Sequence, residues 1–423
     1  MILIGLPILV SVLAIPLRVT VDGILYISSA RSFFTDDFAK TYAWFREPGY
    51  PVFLAVVHMF GDAGFLLIIA QAFCLGAAAF IGVYCAVRAL GRERASLGLV
   101  ALVTILILNP MYLIYSALVL QQAQFALQLA FLALALSWAI RRPAWLSPWV
   151  LIIGTIVNYV LSVWTSIGWI YLALLPAAAV LVVTVWKMVR SRRALGRRAI
   201  AVFLVAALSL ATVVGVYSLG LSVYGVWTAI RDTYSAAATG IPTSVISPQA
   251  IPGIPTFQAE ILRLLSLMHI GTVGDYVYEN SLFLQDQLIR GWPHAEFDTA
   301  LDRPPYSSFA AGYFTLTDPV PFFFRPLSLL ARIASPAYAA VYLGALVALV
   351  VIAMRRKWEL IVIMILPFYF IAVYAASNSP IDRYGVPGYP LAAVAVGVVI
   401  SAGLNKLVRR WRPEVSAATA SAG

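Results

Sequence analysis

Long apolar runs alternate with short polar connectors along most of the chain. A membrane-crossing helix needs about 20 mainly apolar residues. On that criterion the pattern predicts ten spans, at roughly 1–17, 65–87, 96–115, 118–140, 148–164, 167–187, 199–226, 336–354, 359–376 and 385–404. Asn109-Pro110 predicts a helix break inside the third of these. Residues 148–187 turn over at Trp164, Thr165 and Ser166, and residues 51–60 read either as the start of a span or as a short interfacial or re-entrant helix.

The longest polar stretch, 227–335, opens with TGIPTSVISPQAIPGIPTF, which reads as loop. FQAEILRLLSLM and YVYENSLFLQDQLI then repeat apolar residues every three or four positions, as short amphipathic helices do. PFFFRPLSLLARI reads as a surface segment ahead of the next span. The organisation is therefore a transmembrane module at 1–226, whose first polar loop is 18–64, the polar stretch 227–335, further spans over 336–404, and a tail at 405–423. PGYP occurs at 48–51 and again at 387–390, and from sequence alone the repeat reads as coincidence.

Composition agrees with a helical integral membrane protein. Of 423 residues 62% are hydrophobic and only 11% charged, whereas soluble domains hold about 25% charged residues. A net charge of +11 raises the question of nucleic acid, but the distribution of the charge argues against it. Most of the basic residues sit in short islands: Arg88 to Arg94, Arg141-Arg142, Lys187 to Arg198, Arg355 to Lys357 and Lys406 to Arg412. Glu93 is the one acid inside those islands and Glu359 and Glu414 adjoin them, the signature of cytoplasmic connectors. Sidedness follows: both termini are expected in the cytoplasm of a multi-pass plasma-membrane protein, with 18–64, 227–335 and 377–384 outside. The opening run lacks a basic n-region and reads as a retained helix, although VLA before Ile15 also fits a cleavage site. Cys74 and Cys85 fall in one apolar run and support neither a disulfide framework nor a metal site.

Charge is spent sparingly elsewhere, which makes 18–64 stand out. It places Asp22, Asp36, Asp37, Glu47 and Asp62 beside Arg18, Arg31, Lys40 and Arg46. Asp22, Tyr26 and Ala30 share a face if a helix follows the first span, so Asp22 reads both as an N-cap and as a carboxylate at the outer lip of the bilayer. Arg46 precedes the rigid turn PGYP, and a guanidinium can grip a phosphate through paired hydrogen bonds; an ordinary interfacial arginine fits the same spacing. Arg18 and Arg383 lie on the side where basic residues are scarce, Arg383 with Asp382 as a possible partner. Asp36-Asp37 fit a divalent cation or a solvated turn. Gln121, Gln124 and Gln128 line one helical face and read as interhelical hydrogen-bond donors and acceptors. His58, His269 and His294 are scattered, and no GxxxxGK[ST] loop is present, which argues against zinc and against an ATP-driven pump.

DGILYISSA, then R-x-PGYP-x-FLA and HMFG, together resemble the start of GT-C glycosyltransferases. The likeness is to bacterial members related to protein mannosyltransferases and lipid A aminoarabinose transferases. NPMYLIYSALVLQ is similar to that family's break between its third and fourth spans, and DRYGVPGYPL to its closing RY-x-x-P-x-x-P element. The resemblance covers 1–200 and 336–404 and leaves out 227–335. It implies a GT-C-like bundle with juxtamembrane helices on the outer face. It also implies an inverting transfer of a sugar from a polyprenyl-phosphate donor to a glycan, lipid or protein acceptor, with no nucleic acid involved. Asp22 matches the general base; Arg46, Arg383 and Tyr384, with Arg18 behind them, would hold the donor phosphate. Tyr26, Asp37 and Tyr50 are further substrate-site candidates. The chain departs from the pattern at Gly23, and at Gln121 and Gln122, where relatives carry acids. A divalent cation, Mn²⁺ or Mg²⁺ on Asp36 and Asp37, is therefore left open. Two other classes compete: a transporter or flippase of a lipid-linked saccharide, and a polysaccharide ligase or polymerase using Arg290, His294 and Arg303. A transporter would place ionisable residues near the bilayer midplane and show related halves, and neither is visible in the sequence.

Overall fold

The computed structural model describes residues 1–15, 17, 21–34, 47–61, 63–91, 97–165, 169–190, 324–376 and 382–411. The span expected at 199–226 and the polar stretch up to residue 323 lie outside the described residues. No β-strand forms among the described residues, and the elements are helices throughout. In chain order they are α1 (Ile2–Ala14), α2 (Val21–Ser32), α3 (Gly49–His58), α4 (Gly64–Leu90), α5 (Leu97–Ile107), α6 (Pro110–Leu113), α7 (Gln122–Ile140), α8 (Pro148–Thr165) and α9 (Trp169–Arg190). After the gap come α10 (Phe324–Met354), α11 (Trp358–Met364), α12 (Leu366–Ala376), a 3₁₀ segment (Asp382–Gly388) and α13 (Tyr389–Trp411).

Among the described residues four stretches are long and apolar enough to cross a membrane: Gly64–Leu90, Gln122–Ile140, Pro148–Thr165 and Gly385–Leu404. α4 sits at the centre, packed on α7, α1 and α13. Its Leu67, Leu75 and Ala78 join Phe125, Leu129 and Leu132 of α7 and Val394 of α13 in one apolar core. Outward-facing Ile105, Leu175, Val182, Val347 and Val350 are exposed. Apolar surface on this scale is unusual for a monomer in water and suits hydrocarbon.

Several boundaries follow from proline chemistry. α5 stops at Ile107 and a new short helix starts at Pro110, where the missing N–H would have been unsatisfied anyway. The stretch read as one span at 359–376 is two helices, with Pro367 in the first turn of the second. α3 is a separate helix of ten residues. The expectation of a surface segment distinct from the 336–354 span needs correction, because α10 runs unbroken over Phe324–Met354. At 1.5 Å per residue its 31 residues extend about 46 Å, longer than the roughly 30 Å hydrocarbon layer.

The two PGYP copies turn out to do the same work. Each places its glycine where a backbone or ring crosses closely and its tyrosine in the core as a helix begins. A Cβ on Gly49 would lie 2.7 Å from the Thr165 amide nitrogen, and one on Gly388 would lie 3.1 Å from Pro367 Cα. Tyr50 and Tyr389 are both fully buried and send their hydroxyls to a neighbouring element, Tyr50 to Gln71 Oε1 (2.9 Å) and Tyr389 to the Leu106 carbonyl (2.9 Å). Coincidence is therefore replaced by a shared packing requirement. Gly49→Ala should push α3 off α8 and cost about 1–3 kcal/mol, read as a lower melting temperature of the purified protein in detergent.

One end of the bundle is cationic. Lys187 of α9 donates to the carbonyls of Ala139 (2.6 Å) and Ile140, capping the C-terminus of α7 where a positive charge is favoured. Ser137 donates to Glu359 Oε1 (3.0 Å), and Arg141 Nε stands 4.0 Å from Glu359 Oε2. α11 therefore begins beside the C-terminus of α7. The chain runs on through α12, and Gly388 of the segment Asp382–Gly388 closes on Pro367 in the first turn of that helix.

Candidate functional site

Of the candidate residues, Arg18, Asp36, Asp37 and Arg46 lie outside the described residues. Asp22, Arg383 and Tyr384 are described by their backbone, while Tyr26 and Tyr50 are described in full. Asp22 is the second residue of α2. It sits inside the first turn, two places past where a cap would be, and the N–H groups of that turn, which have no partner within the helix, favour an ionised carboxylate.

Tyr26, one turn further along the same face, is buried, as is Ala30, so this face of α2 meets protein. The Tyr26 hydroxyl donates to Oε1 of Gln121, the N-cap residue of α7 (2.8 Å). Its ring meets Tyr50 edge-on, with centroids 4.9 Å apart. Tyr50 passes the network on to Gln71, whose Nε2 donates to the Ser116 (3.0 Å) and Leu118 (2.9 Å) carbonyls. Four parts of the chain are thereby tied together: α2, α3, α4 and the irregular connection before α7. Burial, reinforced by the neighbouring Tyr26, pushes the Tyr50 hydroxyl well above its usual range, so it stays a neutral donor. Tyr26 and Tyr50 thus form a frame under Asp22, with both hydroxyls engaged by protein.

The 3₁₀ segment that holds Arg383 and Tyr384 packs against α7, α12 and α13. Its Gly385 carbonyl accepts the Tyr342 hydroxyl of α10, and Tyr389 stacks flat on Tyr338 at 4.3 Å. The segment of Arg383 thus packs against α7 itself, while the helix of Asp22 is tied by one hydrogen bond to Gln121, the residue that caps α7. Further along α7, Gln128 Nε2 donates to Thr165 Oγ1 (2.8 Å) and to the Leu161 carbonyl (3.3 Å) of α8.

Sequence reasoning missed Gln71 and gave Gln122 too little weight. Gln71 is a lone polar residue in the apolar run GFLLIIAQAFCLG, and such a residue is costly unless it is satisfied; that was the available signal. Gln122 is only 1% exposed, yet neither its Oε1 nor its Nε2 has a partner. Among the described residues no group of three or more His, Cys, Asp and Glu is arranged to hold a metal ion, and Asp36 and Asp37 fall outside them. No known family model, curated protein or solved structure matches the chain.

Proposed function

We propose that the protein is a membrane glycosyltransferase of GT-C type. It moves a sugar from a polyprenyl-phosphate donor to a cell-envelope glycan, lipid or protein acceptor on the outer face of the plasma membrane. The observation that supports this reading best is that α7 meets both sequence candidates: Gln121 at its N-cap bonds the Asp22 helix, and α7 itself packs against the Arg383 segment. Gln121 lies at the end of α7 away from Lys187 and Arg141. In this reading Asp22 takes the proton from the attacking acceptor hydroxyl, a poor nucleophile until deprotonated. The anomeric carbon inverts, and its bond to the donor phosphate oxygen breaks. Arg46, Arg383 and Tyr384, supported by Arg18, receive the growing phosphate charge. Ten spans with both termini in the cytoplasm belong to the same proposal.

The test is transfer of label from radiolabelled polyprenyl-phosphate sugars in membranes holding the full chain, with and without a chelator. Label appearing in an acceptor supports the reading; loss on chelation that Mn²⁺ or Mg²⁺ restores brings Asp36 and Asp37 in as ligands. Movement of the intact donor across vesicles without cleavage would instead favour the flippase.

Gln122 offers a second check. A buried amide with no partner costs about 1–3 kcal/mol, so Gln122→Met should raise the melting temperature if the amide serves only the fold. If Gln122 hydrogen-bonds a substrate hydroxyl or phosphate oxygen, the same variant melts higher and transfers more slowly. The proposal expects this second pattern, read by thermal unfolding and the transfer assay side by side.

A further inference from the structure

A groove of about 310 Å³ lies between α7 and α8, lined by Phe131, Leu134 and Trp138 on one wall and Val150, Gly154 and Asn158 on the other. It belongs to the half of α7 remote from Gln121, and the Tyr26–Tyr50 frame contributes nothing to it. Three observations bear on what fills it. First, Gly154 stands in the interior of α8 with nothing within 4 Å of where its Cβ would be. A helix-interior glycine is unfavourable by about 1 kcal/mol relative to alanine, and no neighbour in the protein requires this one; it keeps the groove open. Second, the Trp138 ring forms part of one wall, its N–H buried, and the exposed Trp145 ring leans edge-on against it at 5.7 Å. Third, α7 ends just beyond Trp138 in Arg141 and Arg142, both exposed, with the Arg141 side chain 65% accessible despite Glu359 nearby.

Reading from the end of α7 inward, the order is two guanidinium groups, then an aromatic and apolar trough. An anionic phospholipid has the matching order: phosphate, then acyl chain. We propose that this groove is a binding site for one anionic phospholipid of the leaflet at the cationic end. Its phosphate sits on Arg141 and Arg142, and its acyl chain lies past Trp138 and Gly154. The tail of a polyprenyl donor fits less well, because it would bring only hydrocarbon to the arginines. The inference requires the helices to lie in a bilayer and is independent of glycosyl transfer.

The test is native mass spectrometry of the delipidated full chain titrated with dioleoyl-phosphatidylglycerol and, separately, dioleoyl-phosphatidylcholine. Two arginines near a lipid phosphate should favour the anionic lipid about tenfold. Gly154→Leu places a side chain in open space, so it should fold normally and lose the retained lipid; Val150→Trp, at the groove rim, is the second filler. Arg141→Gln with Arg142→Gln should keep chain binding and lose the preference for phosphatidylglycerol. Equal retention of phosphatidylglycerol by wild type and both filled variants would overturn the proposal. So would equal retention of the two lipids by wild type, or displacement of bound phosphatidylglycerol by polyprenyl phosphate.

Discussion

Asp22→Asn should lower sugar transfer about a hundred- to ten-thousand-fold, the typical contribution of a positioned general base, while the protein remains folded. Expressed as a barrier, that is about 3–5 kcal/mol. The substitution keeps size and shape and removes only the ability to accept a proton. On the fold it acts weakly: a carboxylate in the first turn of α2 is worth about 0.3–1 kcal/mol through its interaction with the helix dipole. The Tyr26–Gln121 hydrogen bond that holds α2 to α7 does not involve Asp22. The two effects therefore differ enough to be separated. Initial rates from a polyprenyl-phosphate sugar, compared at equal protein with matched melting curves, provide the check. Transfer by Asp22→Asn at the wild-type rate would remove Asp22 from the mechanism, and with it the role assigned to the first polar loop.

Local chemistry was legible in the sequence, and pairing across the fold was not. Asn109-Pro110 announced the break between α5 and α6, because proline acts on its immediate neighbours. α8 ends at Thr165, within the Trp164–Ser166 stretch at which the sequence suggested a turn-over. The helix α10 continues through Pro336, where the sequence suggested a boundary. PGYP looked like chance because the close approaches at Gly49 and Gly388 involve Thr165 and Pro367, far away in sequence. Gln121 was legible as a hydrogen-bonding residue, but its partner Tyr26 is 95 positions away. The proposed chemistry draws on charged residues of the polar connectors, whereas the frame beneath it is made of uncharged side chains, Tyr26 and Tyr50 in the first polar loop and Gln71 and Gln121 within apolar runs. Composition directs attention to the former and hides the latter.

That frame can be tested at its centre. Gln71→Leu should destabilise the protein more than any other single change to the network, by about 3 kcal/mol or more if each stranded polar group costs about 1–3 kcal/mol. It strands the Tyr50 hydroxyl and removes the amide donor from the carbonyls of Ser116 and Leu118, in a part of the structure that water does not reach. Tyr50→Phe should cost less, because it leaves only Gln71 Oε1 unpaired and retains the ring that meets Tyr26. The double variant Tyr50→Phe/Gln71→Leu should be less unstable than the sum of the two, since the hydroxyl stranded by the second change has already been removed by the first. Direct partners typically couple by about 0.5–3 kcal/mol in such cycles. Unfolding in detergent would read the stability terms, and transfer measured on the surviving folded fraction would read the site. Loss of transfer in Tyr50→Phe beyond its loss of stability would mean that the frame sets the position of α2 against α7, and so of Asp22. Strict additivity would mean that Tyr50 and Gln71 act separately and that the path from α3 to the connection before α7 transmits nothing.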